Sequence, residues 1–120
     1  MPHLILEASS NILETTATVK QCLIECQNLL TEKLPTQLSS CKSRYIKHEV
    51  YVVGDDSINN AFVHLGVKVL SGRSPQILMT IIEDLRKLLI KAFNQSAVTF
   101  KLSISVELTD LGKYYTKTTT

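Results

Sequence analysis

Apolar residues recur at every second position in two stretches of the chain, 60–70 and 98–108, and this period of two predicts β-strands with one buried face. The run 2–8 is apolar on both sides of its pleat, which predicts an interior strand. Residues 43–53 form a further long run of β-type residues, and the turn residues 54–57 close it. The sequence therefore predicts four strands.

Two segments between these strands repeat their hydrophobic residues every three or four positions, which predicts amphipathic helices. The first helix is expected to end near Lys33, before Pro35. The second follows the segment 71–75, which offers a turn glycine, a capping serine and a proline for the first helical position. The repeating positions are Val19, Cys22, Leu23, Cys26, Leu29 and Leu30 in the first helix and Leu78, Ile81, Ile82, Leu85, Leu88, Leu89 and Ala92 in the second.

The order of these elements, βαββαβ, predicts an α+β fold made of two βαβ halves. Its natural form is a four-stranded sheet with both helices on one face. A chain of 120 residues then has nothing left to cover the other face, so we expect it to form an oligomer. We expect one domain over residues 1–111 and a tail over 112–120 that is loosely ordered or engaged with another chain.

The charge of the chain narrows the possible partners, and its cysteine content narrows the possible compartment. The net charge of +2 comes from 13 basic and 11 acidic residues spread along the chain, so nucleic acid is not an expected partner. No apolar run is long enough to cross a bilayer. The odd number of cysteines, 3, suits a reducing cytoplasm better than a disulfide framework, and we expect a soluble cytoplasmic protein with Cys22 and Cys26 in its core.

Pro2 is the first candidate for chemistry. Initiator methionine is normally removed before a residue as small as proline, which would leave Pro2 as a free secondary amine at the start of a strand. An α-amino group titrates nearer neutrality than lysine does, and an apolar pocket or a nearby cation lowers its pKa further, so the amine could act as a general base. Many chains begin Met-Pro without any such chemistry, and with Met1 attached the nitrogen is an amide.

The other candidates are basic residues at element boundaries: Lys42 and Arg44 at the entrance to the second strand and Arg73 before the second helix. The sequence has no Gly-x-Ser-x-Gly elbow, no glycine-rich phosphate loop and no metal-ligand spacing. One amine base and a few cations suit an acid-base reaction on a small carboxylate substrate, since the cations can bind carboxylates and stabilise an enolate.

Three separated motifs together resemble the 5-carboxymethyl-2-hydroxymuconate Δ-isomerase family of the tautomerase superfamily. They are the start PHLILE at 2–7, the strand AFVH at 61–64 with Lys68 four residues on, and the turn SGRS at 71–74. The similarity runs from Pro2 to about residue 108. It implies a homotrimer with active sites near subunit boundaries.

The resemblance also implies roles for individual residues. Pro2, as the mature N-terminus, would shuttle a proton between carbons of a 2-hydroxymuconate and its 2-oxo isomer without any cofactor. Arg73 would bind a substrate carboxylate or polarise the keto oxygen. Lys42 stands where the family has a second arginine and lacks the bidentate fork of a guanidinium. Either Lys42 binds the carboxylate less specifically, or the side chain of Arg44 reaches the site, or the substrate differs from the one that gives the family its name.

Two alternatives remain open from the sequence. The protein could be a non-catalytic, tautomerase-like trimer that binds a small anion or serves in assembly, or a tautomerase for phenylpyruvate-like enols. His3 and His64 are interpreted as structural, because His3 points to the opposite face of its strand from Pro2 and His64 lies opposite the main apolar face.

Overall fold

Four strands and three helices make up the computed structural model, which describes residues 2–120. In chain order they are β1 (His3–Ser9), α1 (Thr16–Lys33), β2 (Lys42–His48), β3 (Asn60–Val69), α2 (Pro75–Ala92), α3 (Asn94–Thr99) and β4 (Lys101–Asp110), with a short 3-10 turn at Leu38–Ser40 before β2. The predicted βαββαβ order is confirmed, and α3 is an addition to it.

The strands form one mixed sheet in the order β2-β1-β3-β4. β1 runs parallel to β2 and antiparallel to β3, and β3 runs parallel to β4. The starts of β1 and β2 therefore lie at the same end of the sheet as the last residues of β3 and β4. We call this the Pro2 end.

Both long helices cover one face of the sheet, as predicted. Alternate residues of β1 and β3 point towards α1 and α2 and join them in a single buried core, because the side chains of a strand alternate between its faces. The fully buried members include Leu4, Leu6, Cys26, Leu30, Val63, Leu65, Leu85, Leu89 and Phe93. Within residues 2–120, neither long helix is apolar enough to cross a membrane.

The face without helices, here called the open face, has mixed chemistry. It carries the half-buried Ile5 and Phe62 among charged and polar side chains. His48 and Glu7 pair across it, with 2.9 Å between Nε2 and Oε1. His64 forms a hydrogen bond with the Ser105 hydroxyl at 2.7 Å, in agreement with its predicted structural role.

The second strand is shorter than the sequence predicts. The run 43–53 suggested one long strand, whereas β2 ends at His48. Its partner β1 pairs with it only as far as Ser9, and the last bridging hydrogen bond runs from the Ser10 N–H to the His48 carbonyl at 2.9 Å. Residues 49–53 keep their β-type composition but have no neighbouring strand to pair with.

The last strand begins later than predicted, at Lys101 rather than at Val98. Its neighbour β3 starts at Asn60, which pairs with Lys101, so no ladder is available to earlier residues. Val98 belongs to α3 instead. This helix is tied to the start of the chain by Ser96, whose backbone N–H donates to Glu14 Oε2 at 3.0 Å.

Candidate active site

Pro2 immediately precedes β1 and has a fully buried ring, less than 2% exposed. Its position in the pleat puts the ring on the helix-covered side of the sheet, while His3 lies on the open face. The carbonyl of Pro2 accepts a hydrogen bond from the Lys42 N–H at 3.0 Å, which ties the first residue of β2 to it. Met1 lies outside the described residues, so its removal stays a prediction.

Arg73 lies in the turn that joins β3 to α2. Because β3 pairs antiparallel with β1, with Lys68 opposite His3, this turn is at the Pro2 end of the sheet. Gly72 adopts a φ of 101°, a backbone conformation that favours glycine, and Ser74 caps α2 by accepting a hydrogen bond from the Ile77 N–H. The sequence therefore gives this arginine a defined place between a turn glycine and a helix cap.

The side chain of Arg73 is half-buried, and its Nε atom is buried without a hydrogen-bond partner among the described residues. A buried N–H group without an acceptor is costly, so such groups in native proteins generally have a ligand, an ion or a water to bind. The arrangement makes Arg73 available to an anion at the Pro2 end.

Lys42 and Arg44 both lie at the Pro2 end but on the open face. The register of β1 and β2 places Lys42 beside His3 and Arg44 beside Ile5, so both basic side chains point away from the helices. The structure therefore brings Lys42 next to Pro2 along the backbone while the two side chains occupy opposite faces. Arg44 is in contact with His3, with 3.1 Å between its Nη1 atom and Nδ1 of the imidazole.

His3 has more partners than its structural interpretation suggested. Burial lowers the pKa of its imidazole, and the positive charges of Arg44, Lys42 and Lys68 lower that pKa further. The hydroxyl of Tyr115 lies 3.0 Å from Nε2, and the two rings pack edge to face with their centroids 5.9 Å apart. These effects favour the neutral form of the His3 imidazole.

The contact between Tyr115 and His3 was not predictable from local patterns, since 112 positions separate the two residues. The prediction left the tail either loosely ordered or engaged with another chain, whereas the structure packs Tyr115 against the first strand of its own chain. The Leu111 N–H extends the pairing of β4 with β3 by one residue, donating to the Val69 carbonyl at 2.7 Å.

Two cavities flank the turn that carries Arg73. One, of about 480 Å³, lies between the end of β3 and the tail and is lined by Leu70, Ser71, Asp110, Leu111, Gly112, Lys113 and Tyr115. The other, of about 220 Å³, lies where α1 ends and α2 begins and is lined by Lys33, Gln76, Ile77 and Thr80. Both cavities lie at the Pro2 end, but the residues that line them do not include Pro2, Lys42, Arg44 or Arg73.

Cys22 and Cys26 are buried side by side in α1, as predicted for core residues. A hydrogen bond with Cys22 and burial both raise the pKa of the Cys26 thiol, so this thiol stays protonated at neutral pH. Among the described residues, no cluster of three or more His, Cys, Asp or Glu side chains has the arrangement of a metal site.

A four-stranded mixed sheet of two βαβ halves, with both long helices on one face, is a tautomerase-like fold. Solved structures with this fold include a 5-carboxymethyl-2-hydroxymuconate isomerase from Deinococcus radiodurans R1, with a TM-score of 0.85 and 22% identity over 98% of this chain and 88% of that one. A 5-carboxymethyl-2-hydroxymuconate delta-isomerase also gives a TM-score of 0.85, with 15% identity over 100% of this chain and 89% of that one.

A fused 4-OT protein described as a symmetric trimer gives a TM-score of 0.73, with 16% identity over 97% of this chain and 90% of that one. These structural similarities establish the fold. The sequence model of the 5-carboxymethyl-2-hydroxymuconate isomerase family matches residues 2–120, and the chain belongs to this family of isomerases. A comparison with curated proteins finds no match.

Proposed function

We propose that the protein moves a proton within an unsaturated 2-hydroxy or 2-oxo carboxylate, such as 5-carboxymethyl-2-hydroxymuconate, with the amine of Pro2 as general base and acid and without a cofactor. The observation that carries this proposal is that Pro2, Lys42 and the Arg73 turn all lie at one end of the sheet. The proposal requires Met1 to be removed, because only then does Pro2 have a basic nitrogen.

The proposed reaction only moves a proton, so it needs no oxidant or reductant. With a 2-hydroxydienoate the Pro2 nitrogen takes the proton of the 2-hydroxyl group, and with a 2-oxo isomer it takes a proton from the carbon next to the carbonyl; in both cases the electrons of the broken bond form a dienolate. The ammonium then gives its proton to a different carbon of the dienolate, which forms the C–H bond of the 2-oxo product as the double bond moves. The Pro2 ring is buried, and an apolar surrounding disfavours a charged ammonium relative to the neutral amine that acts as the base.

Arg73 is proposed to bind a carboxylate of the substrate or the developing enolate oxygen. Its buried Nε–H lacks an acceptor among the described residues, and a charged donor of this kind stabilises negative charge more strongly than a neutral one. Lys42 is proposed to add a positive charge from the open face, with a single point of contact where a guanidinium would offer two. Arg44 is the alternative, since it follows two residues later in β2.

We further propose a homotrimer, with each active site completed at a subunit boundary. A related fold occurs as a symmetric trimer. The loop 49–59 exposes three large aliphatic side chains, Val50, Val52 and Ile58, by 93%, 74% and 88%, and burying them against another subunit would remove this apolar surface from water.

Three free cysteines favour a reducing compartment, which we propose is the cytoplasm.

Rates of ketonisation for a panel of 2-hydroxydienoates test this function. Pro2→Ala replaces the secondary amine and is expected to lower kcat/KM by about 10² to 10⁴. Arg73→Ala removes the proposed anion partner and is expected to lower it by about 10² to 10³. Arg86→Ala is the matched control, because this arginine is exposed on α2 and pairs with Glu83 at 2.9 Å. Equal rates for Pro2→Ala, Arg73→Ala and wild type would reject the proposal.

The lysine at position 42 is the observation that favours a second candidate, a tautomerase for phenylpyruvate-like enols, because such a substrate has one carboxylate rather than several. The enol of phenylpyruvate therefore belongs in the panel. A protein that binds these anions with wild-type affinity after Pro2→Ala and shows no turnover in any form would match the non-catalytic alternative.

A further inference from the structure

The tail crosses the end of the sheet from β4 to β1. It begins where β4 ends, and its Tyr115 contacts His3 at the start of β1, so it passes the end of β3, which lies between these two strands. Two strand spacings make about 10 Å, and five extended residues reach about 16 Å. We call residues 111–115 the strap. Gly112 adds only backbone to it, and a Cβ atom there would meet no atom within 4 Å.

The strap is attached at both of its ends. At one end the Leu111 N–H donates to the Val69 carbonyl at 2.7 Å. At the other end the Tyr115 hydroxyl lies 3.0 Å from Nε2 of His3, and the two rings pack edge to face at an interplanar angle of 80°. The neighbouring Tyr114 is fully exposed, so the attachment to β1 is specific to Tyr115.

The cavity of about 480 Å³ lies between the strap and the end of β3. Leu70, Leu111 and the ring of Tyr115 give its wall an apolar surface. Asp110 and Lys113 bring one charge of each sign, so the lining has no net charge. An uncharged, largely apolar group is therefore favoured in this cavity over a carboxylate.

The cavity adjoins the candidate active site through its walls. Ser71, on one wall, precedes Arg73 by two residues in the turn that leads to α2. On the other wall, Tyr115 contacts His3, which directly follows Pro2. The cavity therefore lies next to the residue proposed to bind the carboxylate and next to the start of the strand that carries the proposed base.

We propose that the strap encloses the unsaturated carbon chain of the substrate in this cavity while Arg73 binds its carboxylate, and that Tyr115 is a substrate-binding residue that His3 holds in place. The inference rests on the proposed function for the identity of the substrate, and it assigns a separate part of the molecule to the uncharged part of that substrate.

The strap site uses the end of the sheet and not its open face. The cavity lies beyond the last residues of β3 and β4, and the contact between Tyr115 and His3 is formed within one chain. The proposal is therefore compatible with a trimer that covers the open face.

Binding of sorbate and of acetate to the full chain, followed by backbone amide NMR shifts, tests the strap. Sorbate carries its carboxylate on an unsaturated chain and has no 2-hydroxyl group, so it has no enol to ketonise. Acetate carries the carboxylate without such a chain. We expect sorbate, and not acetate, to shift the amides of residues 70, 111 and 115. Sorbate should bind at least about tenfold more tightly than acetate, because its chain is removed from water.

Variants of Tyr115 separate binding of the chain from a general structural effect. Tyr115→Ala removes the ring from the wall and should weaken sorbate binding about tenfold, while acetate binding stays as in wild type. Tyr115→Phe keeps the ring and loses only the hydrogen bond to His3, so it should weaken sorbate binding about two- to fivefold. Tyr114→Ala is the matched control, since this tyrosine is fully exposed, and it should bind both ligands as wild type does.

Failure of the proposed catalysis would leave these binding results unchanged, because sorbate binding involves no proton transfer. If the catalysis holds, Tyr115→Ala should raise KM for 2-hydroxyhexa-2,4-dienoate about tenfold and change kcat by less than about twofold, since the chain is bound equally in the ground and transition states. Equal sorbate affinity in wild type, Tyr115→Phe and Tyr115→Ala, or an equal loss of affinity for sorbate and acetate, would overturn the proposal.

Discussion

Ser96 is a buried polar residue that joins α3 to the start of the chain. Its hydroxyl accepts a hydrogen bond from the Leu13 N–H at 2.8 Å and donates one to a carboxylate oxygen of Glu14. Ser96→Ala leaves the Leu13 N–H without an acceptor, so we expect a loss of about 1–3 kcal/mol in the free energy of unfolding, measured by denaturant titration. Ser103→Ala, at an exposed serine of β4, should change it by less than about 0.5 kcal/mol.

His3 makes the stability of the fold depend on pH. The pKa of His3 in the folded state lies below its ordinary value of 6.5, so the unfolded chain binds more protons between these two values. The stabilising contribution is fully present above about pH 6.5 and is lost as the pH falls from there through the folded pKa. Denaturant titrations from pH 7.5 to 5 should show a smaller loss of stability for His3→Gln than for wild type, and parallel curves would contradict this account.

At the level of single residues, Pro2 stood out by its place at the second position of the chain, whereas Arg73, between a glycine and a capping serine, gained its expected role only through the family resemblance. The contacts of His3 escaped prediction for a physical reason. Its partners come from β2, β3 and the tail, and only the register of the folded sheet brings these segments together.

The turn between β3 and α2 gives a prediction at the level of elements. Gly72 has a φ of 101°, and the space where a side chain would start is open, so Gly72→Ala is destabilising through backbone strain alone. We expect a loss of about 1–2 kcal/mol in the free energy of unfolding and, because Arg73 follows directly, a lower kcat/KM for 2-hydroxydienoates.

Gly112→Ala is the control for that experiment, because Gly112 also has open space around it and is not among the described glycines with positive φ. It should leave both the free energy of unfolding and kcat/KM near wild type. Equal effects of the two substitutions would contradict the assigned role of the turn.

Element types were predictable because hydrophobic periodicity reports burial on one face, and this is how the four strands and both long helices were found. The first and last residues of each element were less predictable. Residues 49–53 have a strand-like composition, yet their strand state depends on a neighbour that β1 does not supply beyond Ser9. Pairing is a property of two segments, so a single segment cannot predict where it ends.

At the level of the whole molecule, the proposed trimer predicts a particle of about three times the chain mass of 13.4 kDa in light scattering. Val52→Glu places a charge in the exposed apolar loop and should shift the population towards smaller species, because burying an unpaired charge is costly. Met79→Glu, on the exposed side of α2, is the control. A folded monomer at all concentrations in wild type would contradict the trimer.

The covering of the open face was only partly predictable. The order of the elements predicted that both helices pack on one face of the sheet. The chain then has no further segment to cover the open face, and this predicted a partner. The distribution of charge on that face required the structure, because Lys42 and Lys68, which flank His3, come from two strands that the sequence separates by more than twenty positions.

The central claim is that the free amine of Pro2 is the catalytic base. Two preparations of the same chain test it most directly, one with Met1 removed and one with Met1 retained, each verified by intact mass. Every side chain from residue 2 onwards is then identical, and the retained methionine converts the basic nitrogen of Pro2 into an amide. Ketonisation of 2-hydroxydienoates should be at least about 10² faster in the preparation that begins at Pro2. Equal rates in the two preparations would contradict the account.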